Sequence, residues 1–260
     1  NTARNVQEII MEDKVDGFFD EISKEACLQM RNHSEGNVPV EVILFDFDGT
    51  LADTSLDMIN SLNVVLKRNK YEKVKHLECK DYVSKGANGV VGYASIINCI
   101  SDNDIKNNLK KDFLKQYSLN PCQETFLFEG IKELIIFIMQ NNLKWGIVTN
   151  KPSYLSEPII EKLDFPSPPQ CCISGDTLDK RKPDPLPLLH AAKLLGIEPS
   201  ECIYIGDDER DMIAGNKAGM KTISALYGFI PKEDNALKWQ CDYSANDVYE
   251  IINILEEVLT

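Results

Sequence analysis

Residues Val42 to Thr54 read V-I-L-F-D-F-D-G-T-L-A-D-T. An apolar run rich in strand formers leads straight into two aspartates, Asp46 and Asp48, and Gly49 and Thr50 then turn the chain. The pattern predicts a buried strand that stops at a functional site. The two carboxylates share that site if the chain begins to turn at Asp48, and Gly49 permits such a turn. Held close together at the end of a buried strand, two carboxylates are costly to keep charged unless a cation lies between them, which points to a metal. An all-oxygen ligand set favours magnesium. The competing reading is an ordinary strand-to-loop junction, in which Asp and Gly simply make the turn.

Downstream of Thr54 come helical patterns with little strand signal, over Leu56 to Arg68, Tyr82 to Ile100 and Asp102 to Tyr117. From Gly130 the chain alternates. Helical patterns at Ile131 to Gln140, Tyr154 to Leu163, Leu186 to Leu195, Asp208 to Ala218 and Asn246 to Leu259 separate strand patterns. Those strands are Leu143 to Thr149, Gln170 to Ser174, Cys202 to Ile205, Lys221 to Ala225 and a short one near Asp242. Alternation of this kind predicts a parallel sheet with crossover helices, an α/β fold with a Rossmann-like doubly wound core. Ligands of such sheets bind beyond the carboxyl ends of the strands, so the polar clusters there are the candidates.

Three further clusters stand at predicted strand or loop ends. I-V-T-N-K-P places Thr149, Asn150 and Lys151 at the same edge as Asp46, where a hydroxyl and an amide can donate to a phosphoryl oxygen. K-R-K-P-D-P offers Lys182, the cation needed wherever a carboxylate must approach a phosphate dianion; a solvated basic turn is the alternative. I-Y-I-G-D-D-E-R-D-M brings Asp207 to a strand end, with Asp211 one helical turn on and on the same face. Helix capping by Asp207 competes with a metal role there.

An Asp-x-Asp strand end, a Ser/Thr strand end, a Lys and a Gly-Asp followed by an acid stand in this order in the haloacid dehalogenase-like superfamily. The chain resembles that superfamily over about residues 41 to 258. V-S-K-G-A at 83 to 87, I-S-G-D-T-L-D-K-R-K-P-D-P at 173 to 185 and A-L-Y-G at 225 to 228 look like its phosphoglycolate phosphatase branch, although phosphatases of N-acetylmuramate 6-phosphate carry similar strings. The resemblance implies a core of residues 41–55 and 126–260, with a helical cap inserted at 56–125. It also implies a magnesium-dependent phosphomonoesterase acting on a small phosphorylated metabolite, 2-phosphoglycolate first. Asp46 would attack phosphorus and form an aspartyl phosphate, and Asp48 would act as general acid and base. Thr149 and Lys182 would hold the transferring oxygens. The metal would be bound by Asp46, the main-chain carbonyl of Asp48 and Asp207, with Asp211 in support. Dehalogenases of the superfamily lack the second aspartate, so Asp48 argues against dehalogenation. The cap should set specificity, with Ser84, Lys85 and Gly86 opening a helix whose N-terminus can receive a substrate carboxylate. A sugar-phosphate phosphatase, a β-phosphoglucomutase-like mutase and a non-catalytic binding or regulatory module are the alternatives.

Composition is that of a soluble globular chain. Hydrophobic residues at 43% and charged residues at 27% are those of a globular chain, and a net charge of -13 without a basic patch argues against nucleic acid as a partner. No apolar run reaches a membrane span, and a cytoplasmic monomer or homodimer is expected. The eight cysteines show no metal-binding spacing and are read as reduced thiols. Val6, Ile9, Ile10, Phe18, Phe19 and Ile22 recur at helical spacing, so residues 1 to 40 are read as an amphipathic helix and linker. The chain opens on Asn1 rather than Met, consistent with trimming or with a fragment of a longer polypeptide.

Overall fold

The computed structural model describes residues 38–260, so the helix expected near the N-terminus lies outside the described residues. Strand β1 (Val42–Phe45) is flanked by β4 (Lys144–Val148) and β6 (Cys202–Gly206) in a six-stranded sheet of order β5-β4-β1-β6-β7-β8, parallel throughout. Its remaining strands are β5 (Cys171–Ile173), β7 (Lys221–Ala225) and β8 (Tyr243–Ala245). On one side of β1 the chain runs outward through β4 and β5, and on the other through β6, β7 and β8. The strand order thus reverses at β1. Sheets of this kind bind ligands where the order reverses, beyond the carboxyl ends of the strands, and Asp46 is the residue that follows Phe45 there.

All four residues of β1 are fully buried because both faces of the sheet are covered. Ile43 and Phe45 join the larger apolar cluster, with Trp145, Ile147, Ile203 and Ile205 of the neighbouring strands. The same cluster takes Leu134 and Ile138 from α5 (Ile131–Gln140) and Ile251 and Leu255 from α9 (Val248–Leu259). Val42 and Leu44 face the other layer, formed by Leu188 and Ala191 of α7 (Leu186–Leu195) and Ala214 of α8 (Glu209–Ala218). Burying one such side chain stabilises the fold by roughly 1.5–3 kcal/mol. Helix α6 (Ser153–Lys162) follows β4 in the crossover to β5.

Between the sheet's first two strands in sequence lies the helical block. It contains α1 (Ser55–Arg68), α2 (His76–Cys79), a short 3-10 turn at Lys80–Tyr82, α3 (Gly86–Ile97) and α4 (Asn103–Leu119). Leu62, Val65 and Leu66 of α1 pack with Val90 and Ala94 of α3 and Leu109, Phe113 and Tyr117 of α4. The helix expected from Tyr82 begins only at Gly86, because residues 80–85 form the tight turn and loop that precede it. A two-stranded antiparallel ribbon, β2 (Ala52–Asp53) with β3 (Phe126–Leu127), closes the block where it leaves and rejoins the sheet domain. The sequence reading missed this ribbon, since two residues per strand are too few to show alternation. Among the described residues no helix is long and apolar enough to cross a membrane, and the seven described cysteines are free.

Candidate active site

Immediately after β1 the chain folds back tightly: the Phe47 carbonyl accepts from the backbone N–H groups of Thr50, Leu51 and Ala52, and Gly49 N–H donates to the Ala52 carbonyl. Gly49 has φ +85, and a Cβ there would stand 2.0 Å from Asp207 Oδ2. A Cβ on Gly228 would stand 2.3 Å from the Asp207 Cβ. Two bare backbones therefore pack against one carboxylate, and glycine is required at both places.

Asp46, Asp207 and Asp211 converge at the carboxyl edge of the sheet, each offering a carboxylate oxygen within 4.8 Å of the others, and all three are buried. Asp46 Oδ1 accepts from Phe47 N–H at 2.7 Å and from Lys182 Nζ at 2.9 Å. Among the described residues nothing donates to its Oδ2. Lys182 also meets Asp211 Oδ1 at 2.8 Å and donates to the Tyr204 hydroxyl at 2.6 Å, so all three ammonium hydrogens have oxygen partners. Burial raises the Asp46 carboxyl to about 6 against the pull of Lys182. Asp207 is pushed well above the usual carboxylate range by burial and by the charges of Asp46 and Asp211. Burial opposes the charge on Lys182, but Asp211 and Asp46 outweigh it and raise its affinity for the proton. Three buried carboxylates with one bridging ammonium leave negative charge that a hard cation suits, and their all-oxygen chemistry fits magnesium.

Asp207 accepts from Thr50 Oγ1 at 3.3 Å, from Phe229 N–H at 2.8 Å and from Ser84 Oγ. It does not cap the following helix. Asp208 takes that role on α8, paired in a capping box with Asp211, whose Oδ2 accepts from Asp208 N–H at 3.1 Å. The capping explanation weighed for Asp207 thus belongs to its neighbour, which frees Asp207 to face the acids.

Asp48 stands at the same strand end but outside the three-acid cluster. Its Oδ1 accepts from Thr54 Oγ1 and from Lys151 Nζ, the latter at 2.8 Å. Thr149 is buried, and its hydroxyl oxygen accepts from Lys151 N–H at 3.1 Å, leaving the hydroxyl hydrogen free to donate. Asn150 does something other than face a substrate: its amide donates to the Lys182 carbonyl at 2.8 Å and its Oδ1 accepts from Lys182 N–H at 3.0 Å. It positions Lys182.

The Ser84–Gly86 loop of the helical block comes down on the sheet edge. Ser84 Oγ reaches Asp207, and the Arg210 guanidinium donates to the Ser84 carbonyl. Lys85 lies between Asp234 at 2.8 Å and Asp208 at 3.0 Å, so its charge is engaged by the chain's own carboxylates. Gly86, at φ +63, opens α3. Arg210 is the residue that sequence reasoning left out of the site, and Lys151 was placed at this edge but given no role. The signal for Arg210 was its place between two acids of the fourth cluster.

Comparison with known proteins agrees with this geometry. The family model described as haloacid dehalogenase-like hydrolase matches residues 43–225. A model of the CbiD C-terminal domain matches residues 1–55, most of which lie outside the described residues. The chain is 38% identical over 202 residues to a phosphoglycolate phosphatase of Xanthomonas campestris pv. campestris strain 8004, covering 77% of this chain and 89% of that protein. It is 36% identical over 220 residues to an N-acetylmuramic acid 6-phosphate phosphatase of Pseudomonas aeruginosa, covering 85% of this chain and 96% of that one. In fold it is similar to the crystal structure of a predicted phosphoglycolate phosphatase from Haemophilus somnus 129PT, with a TM-score of 0.75 at 24% identity over 85% of this chain and all of that one. With its family model matched across most of the sheet and both relatives aligned over nearly their whole length, the chain is a phosphatase of the haloacid dehalogenase-like hydrolase family, on its phosphoglycolate phosphatase-like branch.

Proposed function

We propose that the protein is a magnesium-dependent phosphomonoesterase of a small phosphorylated metabolite, 2-phosphoglycolate foremost, working through an aspartyl phosphate. The observation that carries this reading is the convergence of Asp46, Asp207 and Asp211 on Lys182, with Asp48 at the same strand end. Asp46 Oδ2, which accepts no hydrogen bond among the described residues, attacks phosphorus; Oδ1 stays fixed by Phe47 N–H and Lys182. Asp48 protonates the departing alkoxide and then takes a proton from the hydrolytic water. Thr149 donates its free hydroxyl hydrogen to a transferring oxygen, and the Lys182 ammonium offsets the repulsion between carboxylate and phosphate.

Asp46, Asp207 and the main-chain carbonyl of Asp48 would hold the magnesium, with Asp211 behind them. When bound, the ion neutralises charge on the phosphoryl group. The helical block acts as a cap over residues 56–125, lowering the Ser84–Gly86 loop onto the sheet edge so that water is excluded during phosphoryl transfer. The similarity to an N-acetylmuramic acid 6-phosphate phosphatase supports a second reading, in which a phosphorylated amino sugar is the substrate.

Phosphate release across 2-phosphoglycolate, N-acetylmuramate 6-phosphate, hexose phosphates and nucleotides, with and without magnesium, separates these readings. Selective turnover of 2-phosphoglycolate that stops on chelation supports the first. Preference for the amino-sugar ester replaces it with the second, and turnover of none of them removes both.

A further inference from the structure

Lys151 differs from the other cations around the site in how its charge is met. Lys182 has three oxygen partners. Lys85 lies between two carboxylates with its side chain one-third exposed, and Arg210 reaches Asp208 and the Ser84 carbonyl. Lys151 is buried, yet among the described residues its Nζ makes a hydrogen bond of good geometry to a single oxygen, Asp48 Oδ1 at 2.8 Å, with the Tyr117 hydroxyl as a weaker second neighbour. Its other close neighbours are Met58 Sδ at 3.9 Å, a weak acceptor, and the Tyr117 ring, whose centroid is 4.8 Å away. Even with the Tyr117 hydroxyl counted, at least one of its three ammonium hydrogens lacks an oxygen acceptor among the described residues, in a place where water is scarce.

Beside it stands a second unmet donor. Tyr117 of α4 is 1% exposed, and its hydroxyl has no hydrogen-bond partner of good geometry among the described residues; its oxygen lies near enough to Lys151 to accept weakly from it, and its own hydrogen stays free to donate. Burial, opposed by Lys151, pushes the phenol up to about 12, so the group keeps its proton and can donate at neutral pH. A buried ammonium and a buried phenol with spare hydrogens, one on the sheet domain and one on the helical block, call for an anionic oxygen shared between them. The position says which anion. Lys151 touches Asp48, the group assigned to the leaving oxygen, so what it meets belongs to the leaving group and lies within a few bonds of the ester oxygen.

We propose that Lys151 and Tyr117 together bind a carboxylate of the leaving group, two bonds from the ester oxygen, and so select phosphorylated 2-hydroxy acids over esters of neutral alcohols. The proposal rests on the phosphatase reading above and deepens it. It also moves the carboxylate site from Lys85, where the sequence suggested it, to Lys151 and Tyr117.

The test compares kcat/KM for 2-phosphoglycolate with that for 2-hydroxyethyl phosphate, which has the same length but ends in a hydroxyl, both with magnesium. Wild type, Lys151→Met and Tyr117→Phe are measured in parallel, each with a thermal melt. The wild type is expected to favour the carboxylate ester. Each variant is expected to reduce that preference roughly tenfold or more, chiefly through a raised KM for 2-phosphoglycolate. Tyr117→Phe removes only a buried hydroxyl that makes no hydrogen bond of good geometry among the described residues, so it should stay folded and keep the test decisive. A folded Tyr117→Phe with the wild-type preference overturns the proposal. So does a fall in both esters by the same factor, which is what a purely structural role gives. Wild-type turnover of 2-hydroxyethyl phosphate but not of 2-phosphoglycolate would overturn it while leaving the phosphatase reading intact. Turnover of neither would remove the phosphatase reading and the proposal together.

Discussion

Asp46, the proposed nucleophile, shows how a group placed for reaction and one placed for stability differ. Its carboxyl is lifted from an ordinary 3.8 to about 6, first by burial and against the pull of Lys182. A carboxyl raised in the folded state holds its proton longer than in the unfolded chain. Its contribution to stability is therefore complete below about pH 4 and is lost as the pH rises through about 6. In chelator, Asp46→Asn, which cannot ionise, should gain stability relative to the wild type as the pH is raised from about 4 to about 7. Urea melts at several pH values check this, and a constant difference between the two proteins would contradict it. Gly49 gives a second test at this scale. A methyl group at φ +85, 2.0 Å from Asp207 Oδ2, displaces a site carboxylate, so Gly49→Ala should lower kcat/KM by about a hundredfold or more. Asp46, Asp48, Lys182, Asp207 and Asp211 were legible because each stands at a strand or loop end in a recognisable string. Arg210, the pairing of Lys151 with Asp48 and the contact of Ser84 with Asp207 were not, since those roles depend on which loops the fold lays side by side. Asn150 was legible as a polar group at the right edge, but its commitment to the Lys182 backbone was not.

The elements that join the helical block to the sheet domain are tied together by Asp57 of α1. Its buried carboxylate accepts from the backbone N–H of Gln123 at 3.0 Å, of Glu124 at 3.0 Å and of Thr125 at 2.9 Å, and from Thr125 Oγ1 at 2.6 Å. The first crossing, at β2, and the return crossing, at β3, are thereby coupled, and the β2–β3 ribbon reinforces the link. Asp57→Asn replaces two acceptor oxygens by one and sets an amide donor against backbone donors. We expect it to destabilise the fold by about 2–3 kcal/mol and to speed proteolysis between residues 119 and 128. Wild-type protection in that segment would show that the ribbon alone holds the return crossing. The long helices and the six-stranded sheet were legible from apolar periodicity. The ribbon and the Asp57 clasp were not, because one is too short to carry a pattern and the other joins residues more than sixty positions apart.

At the scale of the whole molecule, the helical block and the sheet domain meet across charges that belong to both. Lys85 reaches Asp208 and Asp234, Arg210 reaches the Ser84 carbonyl, and Ser84 reaches Asp207. Partly exposed ion pairs of this kind contribute about 1 kcal/mol or less and weaken with salt. Lys85→Ala should accordingly lower kcat/KM several-fold, and the deficit relative to wild type should shrink as ionic strength rises; a deficit independent of salt would assign Lys85 to direct substrate contact. The overall architecture was legible because the order of strand and helix patterns leaves few topologies. How the block closes was not, since Lys85 and its two partners are separated by more than a hundred residues. The central claim is that Asp46 is the nucleophile, and trapping tests it most directly. Turnover of 2-phosphoglycolate with magnesium is quenched in acid, the protein is reduced with borohydride, and the peptide containing Asp46 is analysed by mass spectrometry. An aspartyl phosphate predicts conversion of residue 46 to homoserine in the presence of substrate, none in its absence, and none in Asp46→Asn, which should also be inactive. Undiminished turnover by Asp46→Asn, or active wild-type enzyme with residue 46 unmodified and homoserine at another aspartate, would contradict it.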